Sequence, residues 1–235
     1  MLRQLAKKVV PPRCWDALKS SLAERKLDAA IRTLISTETF TDGAILEFRE
    51  AWGNQGFSAD NGFIAHVARV LLDRPGDVLE CGSGATTVLA AIIGKRHGFG
   101  VYSLEQDAQW KREVLRTLTR HQLARATVIA APIGRLHDYA WYELPSVELP
   151  RHFATVICDG PYIADAWASP VYENWRYGIL PWLHTTGRTF DQLLLDDFDD
   201  TRCAPVLKRW EREFGVSSEI RESAFGAHAI LRPAA

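Results

Sequence analysis

The sequence predicts an α/β fold: a seven-stranded, mostly parallel sheet ending in an antiparallel hairpin, with a helical extension in front. Three observations carry this. From about residue 77 onward, short apolar runs alternate with longer amphipathic segments, the pattern of a parallel sheet covered on both faces. The stretch Val78-Leu79-Glu80-Cys81-Gly82-Ser83-Gly84-Ala85-Thr86-Thr87 leads an apolar run into an acidic residue, two closely spaced glycines and a helical segment. At the other end, Ser218 to Ala224, Phe225-Gly226 and Ala227 to Leu231 read as two strands joined by a tight turn.

Residues 1–35 read as helical and basic, interrupted by Pro11-Pro12. Such a start is expected to be a solvated accessory face, with peripheral membrane contact as the alternative. Thr41-Asp42 opens a helix running to about Trp52, and Gly53-Asn54-Gln55-Gly56 breaks it. These segments form an extension over residues 1–57, and residues 58–235 form the α/β domain. Ser58 to Asp60 caps a helix with Phe63, Ile64, Val67, Val70 and Leu71 on one face. Pro75-Gly76 ends it and feeds strand one, 77–81. Helix 86–95, strand two at 100–104, helix 107–121 and strand three at 126–130 follow. Strand four is expected at 153–158, a helix over much of 171–184, strand five near 189–195 and a helix from about Thr201 to Phe214.

At the glycine turn, the first glycine permits a tight bend and the second lets the backbone approach a ligand. Amides at the following helix start can face negative charge, so the turn predicts a nucleotide or nucleoside pocket. A dinucleotide turn expects a third glycine, and here that position is Thr87. Glu80 before the glycines would repel a pyrophosphate but suits a ligand bearing an ammonium and a sulfonium. Strand two ends in Leu104-Glu105-Gln106-Asp107. Glu105 lies roughly 20 residues beyond the turn, where a carboxylate accepts both ribose hydroxyls. Asp107 is read as the next helix's cap. Ile133, after strand three, is placed either against a base ring or in the core. Strand four ends in Cys158-Asp159-Gly160-Pro161-Tyr162, and strand five in Leu195-Asp196-Asp197. Carboxylates at adjacent strand ends converge on the ligand crevice.

Glu80-x-Gly82-x-Gly84, Glu105, Asp159-Gly160-Pro161 and the terminal hairpin together resemble the class I S-adenosylmethionine (SAM)-dependent methyltransferases, over roughly residues 60–231. The pairing of Asp-Gly-Pro with Leu-Asp-Asp is similar to bacterial small-molecule and sugar O-methyltransferases. The resemblance implies a Rossmann-like class I methyltransferase fold and SAM bound by Glu80, Gly82, Ser83, Gly84, Thr87, Glu105, Ile133 and Asp159. It implies a small-molecule or glycan acceptor, most simply methylated on oxygen. In the catechol and macrolide-sugar enzymes the strand-end carboxylates hold magnesium. Carried over, that set is Asp159, Asp196 and Asp197, with the alternative that Asp159 contacts the acceptor or the SAM ammonium and the Asp pair only ends a strand. Those families place a lysine or histidine three residues after the first ligand, and here Tyr162 stands there. The catalytic candidates are therefore Asp159, Tyr162 and His184, with His137 as a further proton acceptor. Aromatic residues crowd Tyr139 to Trp182, and two or three are expected to line the acceptor pocket.

A net charge of −1 gives no electrostatic footprint for nucleic acid, so none is expected as partner. Cys14, Cys81, Cys158 and Cys203 lack metal-site spacing and read as free thiols of a reducing compartment. No run approaches membrane-spanning length, and a cytoplasmic protein is expected. The oligomeric state is not encoded legibly. Two rivals remain: a SAM-binding accessory subunit without turnover, and a nicotinamide-dependent oxidoreductase. Thr87 and the terminal hairpin oppose the second.

Overall fold

The computed structural model describes residues 12–53, 58–136, 138–162 and 176–234, with side chains from residue 21 onward. The chain divides into two compact units, Met1–Gly56 and Phe57–Ala235.

In the first unit, α1 (Pro12–Ser36) and α2 (Asp42–Trp52) pack together. Helix α1 begins at Pro12, where a missing N–H costs nothing because the first turn has no acceptor for it. Thr41 caps α2, its hydroxyl accepting from the Ala44 amide. Ala30, Ile31 and Leu34 of α1 and Ile45 and Phe48 of α2 are buried, the apolar stripes of two amphipathic helices.

The second unit runs α3 (Asn61–Asp73), β1 (Val78–Cys81), α4 (Ala85–His97), β2 (Val101–Glu105), α5 (Ala108–Arg120) and β3 (Ala126–Ala130). A small hairpin follows, β4 (Ile133–Leu136) with β5 (Tyr139–Tyr142). The chain continues through β6 (His152–Cys158), α6 (Ile179–Thr185), β7 (Thr189–Leu195) and α7 (Cys203–Phe214), then β8 (Val216–Ser223) and β9 (Gly226–Pro233). The main sheet has seven strands in the order β3-β2-β1-β6-β7-β9-β8. The first five are parallel, and β9 and β8 are antiparallel.

Strand residues alternate between two layers, as the two-residue side-chain period requires. Leu79, Cys81, Leu104, Val156, Cys158, Leu193 and Leu195 join a core with Leu180 and Leu183 of α6 and Val206 and Trp210 of α7. On the other face, α3, α4 and α5 cover the sheet. Asp60 caps α3, its Oδ1 accepting from the Gly62 and Phe63 amides at 2.5 and 2.9 Å. Asp107 caps α5 in the same way.

From β1 the chain winds outward to β3, then returns to lay β6 on the free side of β1. This reversal puts two connections on opposite faces and opens a crevice at the carboxyl ends of β1 and β6. The acidic and glycine-rich strand ends meet there. Strands β4 and β5 pair with Ile133 opposite Tyr142, an arrangement the sequence reading left unstated. Of the helix expected over much of 171–184, the described part is Ile179–Thr185, and residues 171–175 lie outside the described residues.

Candidate functional site

The β1–α4 turn is built from both its glycines. Gly82 has φ +90°, a conformation that side chains resist. A Cβ on Gly82 would lie 3.2 Å from Gly160 Cα, and one on Gly160 would lie 2.6 Å from the Tyr142 hydroxyl. Backbone therefore packs on backbone across the crevice floor. At Gly84 the situation is opposite: a Cβ there would meet nothing within 4 Å. The Gly84 amide donates to Thr87 Oγ1 at 2.8 Å, and that hydroxyl donates to Glu80 Oε2 at 2.5 Å. Thr87 is thus a brace linking the strand's carboxylate to the helix's first amide. Glu80 is wholly enclosed, and burial pushes its carboxyl up to about 7 against the hydroxyls of Thr86, Thr87 and Ser103. Its Oε1 has no hydrogen-bond partner among the described residues.

Glu105, at the end of β2, reaches across to this turn. Its Oε2 accepts from the Ser83 amide at 3.0 Å and the Ser83 hydroxyl at 2.6 Å. Its Oε1 accepts from the Asp107 amide at 2.8 Å. A carboxylate offers about four lone-pair directions, so one stays open and rotation of the Ser83 hydroxyl releases a second. The Trp110 indole donates to the Ser83 carbonyl at 2.6 Å, fixing the turn from α5.

Opposite lie Asp159, at the end of β6, and Asp196 and Asp197, at the end of β7. Asp159 keeps 18 % of its side chain exposed. Its carboxyl is pushed up to about 8, chiefly by burial, with Arg176 opposing and Asp197 reinforcing the rise. Asp196 is buried, and its carboxyl is also raised by burial and its acidic neighbours. Asp197 adopts φ +54°, a left-handed conformation that aspartate tolerates better than most residues.

Sequence reasoning missed Arg176. Its side chain is 2 % exposed, with Nη2 2.6 Å from Asp197 Oδ2 and 3.5 Å from Asp159 Oδ1. Nη1 donates to the Asp196 carbonyl at 2.5 Å, and Nη2 to the Asp159 carbonyl at 3.2 Å. One signal was available: Arg176 is the sole Lys or Arg between Arg151 and Arg188. This geometry corrects the magnesium expectation. A guanidinium already sits on the oxygens that would ligate the ion, and two positive charges in one buried pocket repel. Among the described residues, no group of three or more His, Cys, Asp and Glu side chains is arranged to hold a metal. Asp159, Asp196 and Asp197 therefore do not fit Mg2+ as they stand.

His184 also requires correction. It lies in the last turn of α6, four residues after which β7 starts, and packs edge-on against Phe214. A crossover helix ends at the amino edge of the sheet, so all seven residues of β7, roughly 20 Å, separate His184 from the crevice. Tyr162 stays at the rim, exposed, its carbonyl accepting from the Gln106 amide side chain. Ile133 is half-buried against the main core. His137, Trp167, Tyr172 and Trp175 lie outside the described residues. Trp141, Tyr142 and Tyr177 are buried, and only Tyr142, facing Gly160, borders the crevice floor. Cys81 and Cys158 are free thiols opposite each other on β1 and β6.

A sheet ordered β3-β2-β1-β6-β7-β9-β8, with an acid-flanked double-glycine turn at its centre, has the class I methyltransferase fold. The SAH-bound methyltransferase PaMTH1 of Podospora anserina aligns with a TM-score of 0.55 at 12% identity, over 97% of this chain and 99% of that one. Cofactor-bound Rv0187 from MTB aligns at 0.52 and 16% identity, over 95% of this chain and 97% of that one. The METTL16 MTase domain aligns at 0.52 and 14% identity, over 81% of this chain and 95% of that domain. At these identities the likeness is one of fold. No protein-family model and no curated protein sequence matches the chain.

Proposed function

We propose that the chain is a SAM-dependent methyltransferase that transfers a methyl group to a hydroxyl of a small molecule or glycan. The observation that carries this is the open space beside Gly84, in a turn that Glu80 braces through Thr87 and Glu105 holds through Ser83. Two features of this turn fit a sulfonium nucleoside. An unpaired buried oxygen, Glu80 Oε1, is a natural acceptor for an ammonium or an ordered water. Glu105, with its remaining lone pairs, suits a pair of sugar hydroxyls. The fold shared with SAH-bound and cofactor-bound proteins supports the same ligand.

When bound, SAM supplies a methyl group already activated by the adjacent positive sulfur. The protein's own work is then alignment and proton transfer. Gly82, Ser83 and Gly84 hold the methionine portion through a backbone that carries no side chain at the point of contact. Glu105 holds the sugar, and Ile133 borders the base. Asp159 is the general base, receiving the acceptor hydroxyl's proton on its carboxylate as the methyl bond forms. Arg176 fixes that carboxylate's orientation, and Tyr162 contacts the acceptor from the rim. The free buried thiols support a cytoplasmic setting.

The test is calorimetry with S-adenosylhomocysteine (SAH), followed by a SAM turnover screen over sugars, phenols and amines. Binding with turnover on a hydroxyl acceptor is the expected result. Binding without turnover on any acceptor identifies an accessory subunit, and absence of binding removes the reading.

A further inference from the structure

The oxygens that Arg176 gathers form an unusual set for an arginine. Among the described residues, five lie within 3.5 Å of its two terminal nitrogens: the carbonyls of Cys158, Asp159 and Asp196, and one carboxylate oxygen each from Asp159 and Asp197. They come from the ends of two adjacent parallel strands, β6 and β7. Carbonyl and carboxylate oxygens gathered in one cup around a buried guanidinium are the ligands that a hard divalent cation takes. Asp196 adds a third carboxylate, buried, with an oxygen that has no hydrogen-bond partner among the described residues. The cup has the chemistry of a metal site, and its occupant is a side chain.

We propose that Arg176 is the resident cation of this site. Its guanidinium stands where a divalent ion would, orients Asp159 and Asp197, and makes acceptor activation independent of metal. The inverse follows from the same donor set. Removing the guanidinium leaves Asp159, Asp196 and Asp197 to close on a divalent cation, an arrangement they do not hold with it in place. A planar guanidinium holds several oxygens at fixed angles without dissociating, so the carboxylates stay aligned at any magnesium concentration. Arg176 is a positioning residue, acting through Asp159. The catalytic half of the proposal rests on the methyltransferase reading, whereas the metal-binding half does not.

The experiment is a Mn2+ titration followed by electron paramagnetic resonance, on the full chain and on Arg176→Ala, with SAH calorimetry on both. In the wild type, millimolar Mn2+ should remain free, and chelator should leave both the melting temperature and any turnover unchanged. Arg176→Ala should bind one Mn2+ at least about tenfold more tightly than the wild type, and Arg176→Ala/Asp159→Asn should lose that gain. A purely structural ion pair predicts no such gain. SAH affinity should stay within about threefold in all of them, because the nucleoside turn belongs to β1 and β2. Stoichiometric Mn2+ binding by the wild type, abolished by Asp159→Asn, overturns the proposal. So does a folded Arg176→Ala that binds no ion. If Arg176→Ala fails to fold, Arg176→Lys and the wild type decide: Mn2+ silence in both supports a resident side-chain cation, and binding in either rejects it. Loss of SAH binding throughout would sink the methyltransferase reading while leaving the titration interpretable.

Discussion

The hydroxyl of Thr87 is the smallest group on which the double-glycine turn depends. It accepts from the Gly84 amide and donates to Glu80, so one oxygen satisfies a helix-start donor and a buried carboxyl together. Thr87→Val keeps the shape and removes both bonds. The expected cost is about 1–3 kcal/mol of stability, because the buried Glu80 Oε2 loses the hydroxyl that donates to it. SAH affinity should fall about tenfold as the Gly84 amide loses its anchor. Thr87→Ser should retain both properties, and denaturant melts with calorimetry separate the cases. Across the crevice, a general base works only when ionised, and Asp159 has its carboxyl raised to about 8. Turnover should therefore climb as pH rises towards 8 and level off above it. Asp159→Asn should bind SAH within about threefold of the wild type yet lose about a hundredfold or more in kcat. A flat pH profile in the wild type would remove Asp159 as the base. Residues such as Gly82, Gly84 and Glu105 could be found in the sequence because local spacing fixes their geometry. Arg176 could not be assigned a role that way: its partners lie 17 to 21 positions away, on two strands whose adjacency only the assembled sheet defines.

Among the elements, α3 and β9 meet through a pair of histidines, His66 Nδ1 lying 2.5 Å from His228 Nε2. Burial, His228, Arg221 and Arg69 together lower His66 to about 4, with Glu219 opposing. His228 is lowered too, by burial and Arg221, against Asp60. A histidine held neutral when folded takes up its proton on unfolding, so the contact weakens as pH falls from 6.5 towards 4. His66→Gln should remove about 1–2 kcal/mol of that pH dependence, after allowance for the group's partial exposure. Thermal melts of both proteins between pH 4 and about 7 would read the difference, and parallel curves would refute the assignment. Elements with a strong local signal were legible in the sequence: Asp60 and Asp107 as caps, and the apolar strands β1, β3, β6 and β7. The β4–β5 hairpin was not, because two four-residue strands, the second rich in aromatics, carry too few alternations to separate from packing. His184 was misassigned for a topological reason. Sequence places it near strand five, but it precedes that strand and so falls at the wrong end of it.

At the scale of the second unit, the strand order itself locates the site. The reversal between β1 and β6 brings Gly82 against Gly160, and no single segment encodes that meeting. A ligand seated there touches the ends of β1 and β2 together and must stabilise the folded sheet as a whole, since the unfolded chain has no such crevice. SAH at about a hundred times its dissociation constant should add about 2.7 kcal/mol. For a unit of this size that corresponds to a rise in melting temperature of about 5–10 °C. NADH should leave the temperature unchanged. Thr87 stands where a dinucleotide turn has its third glycine, and Glu80 lies immediately before the glycines. A melt with each ligand discriminates sharply. Stabilisation by NADH with none by SAH would mean that the double-glycine turn serves a pyrophosphate, and the roles given to Glu80 and Glu105 would fall with it.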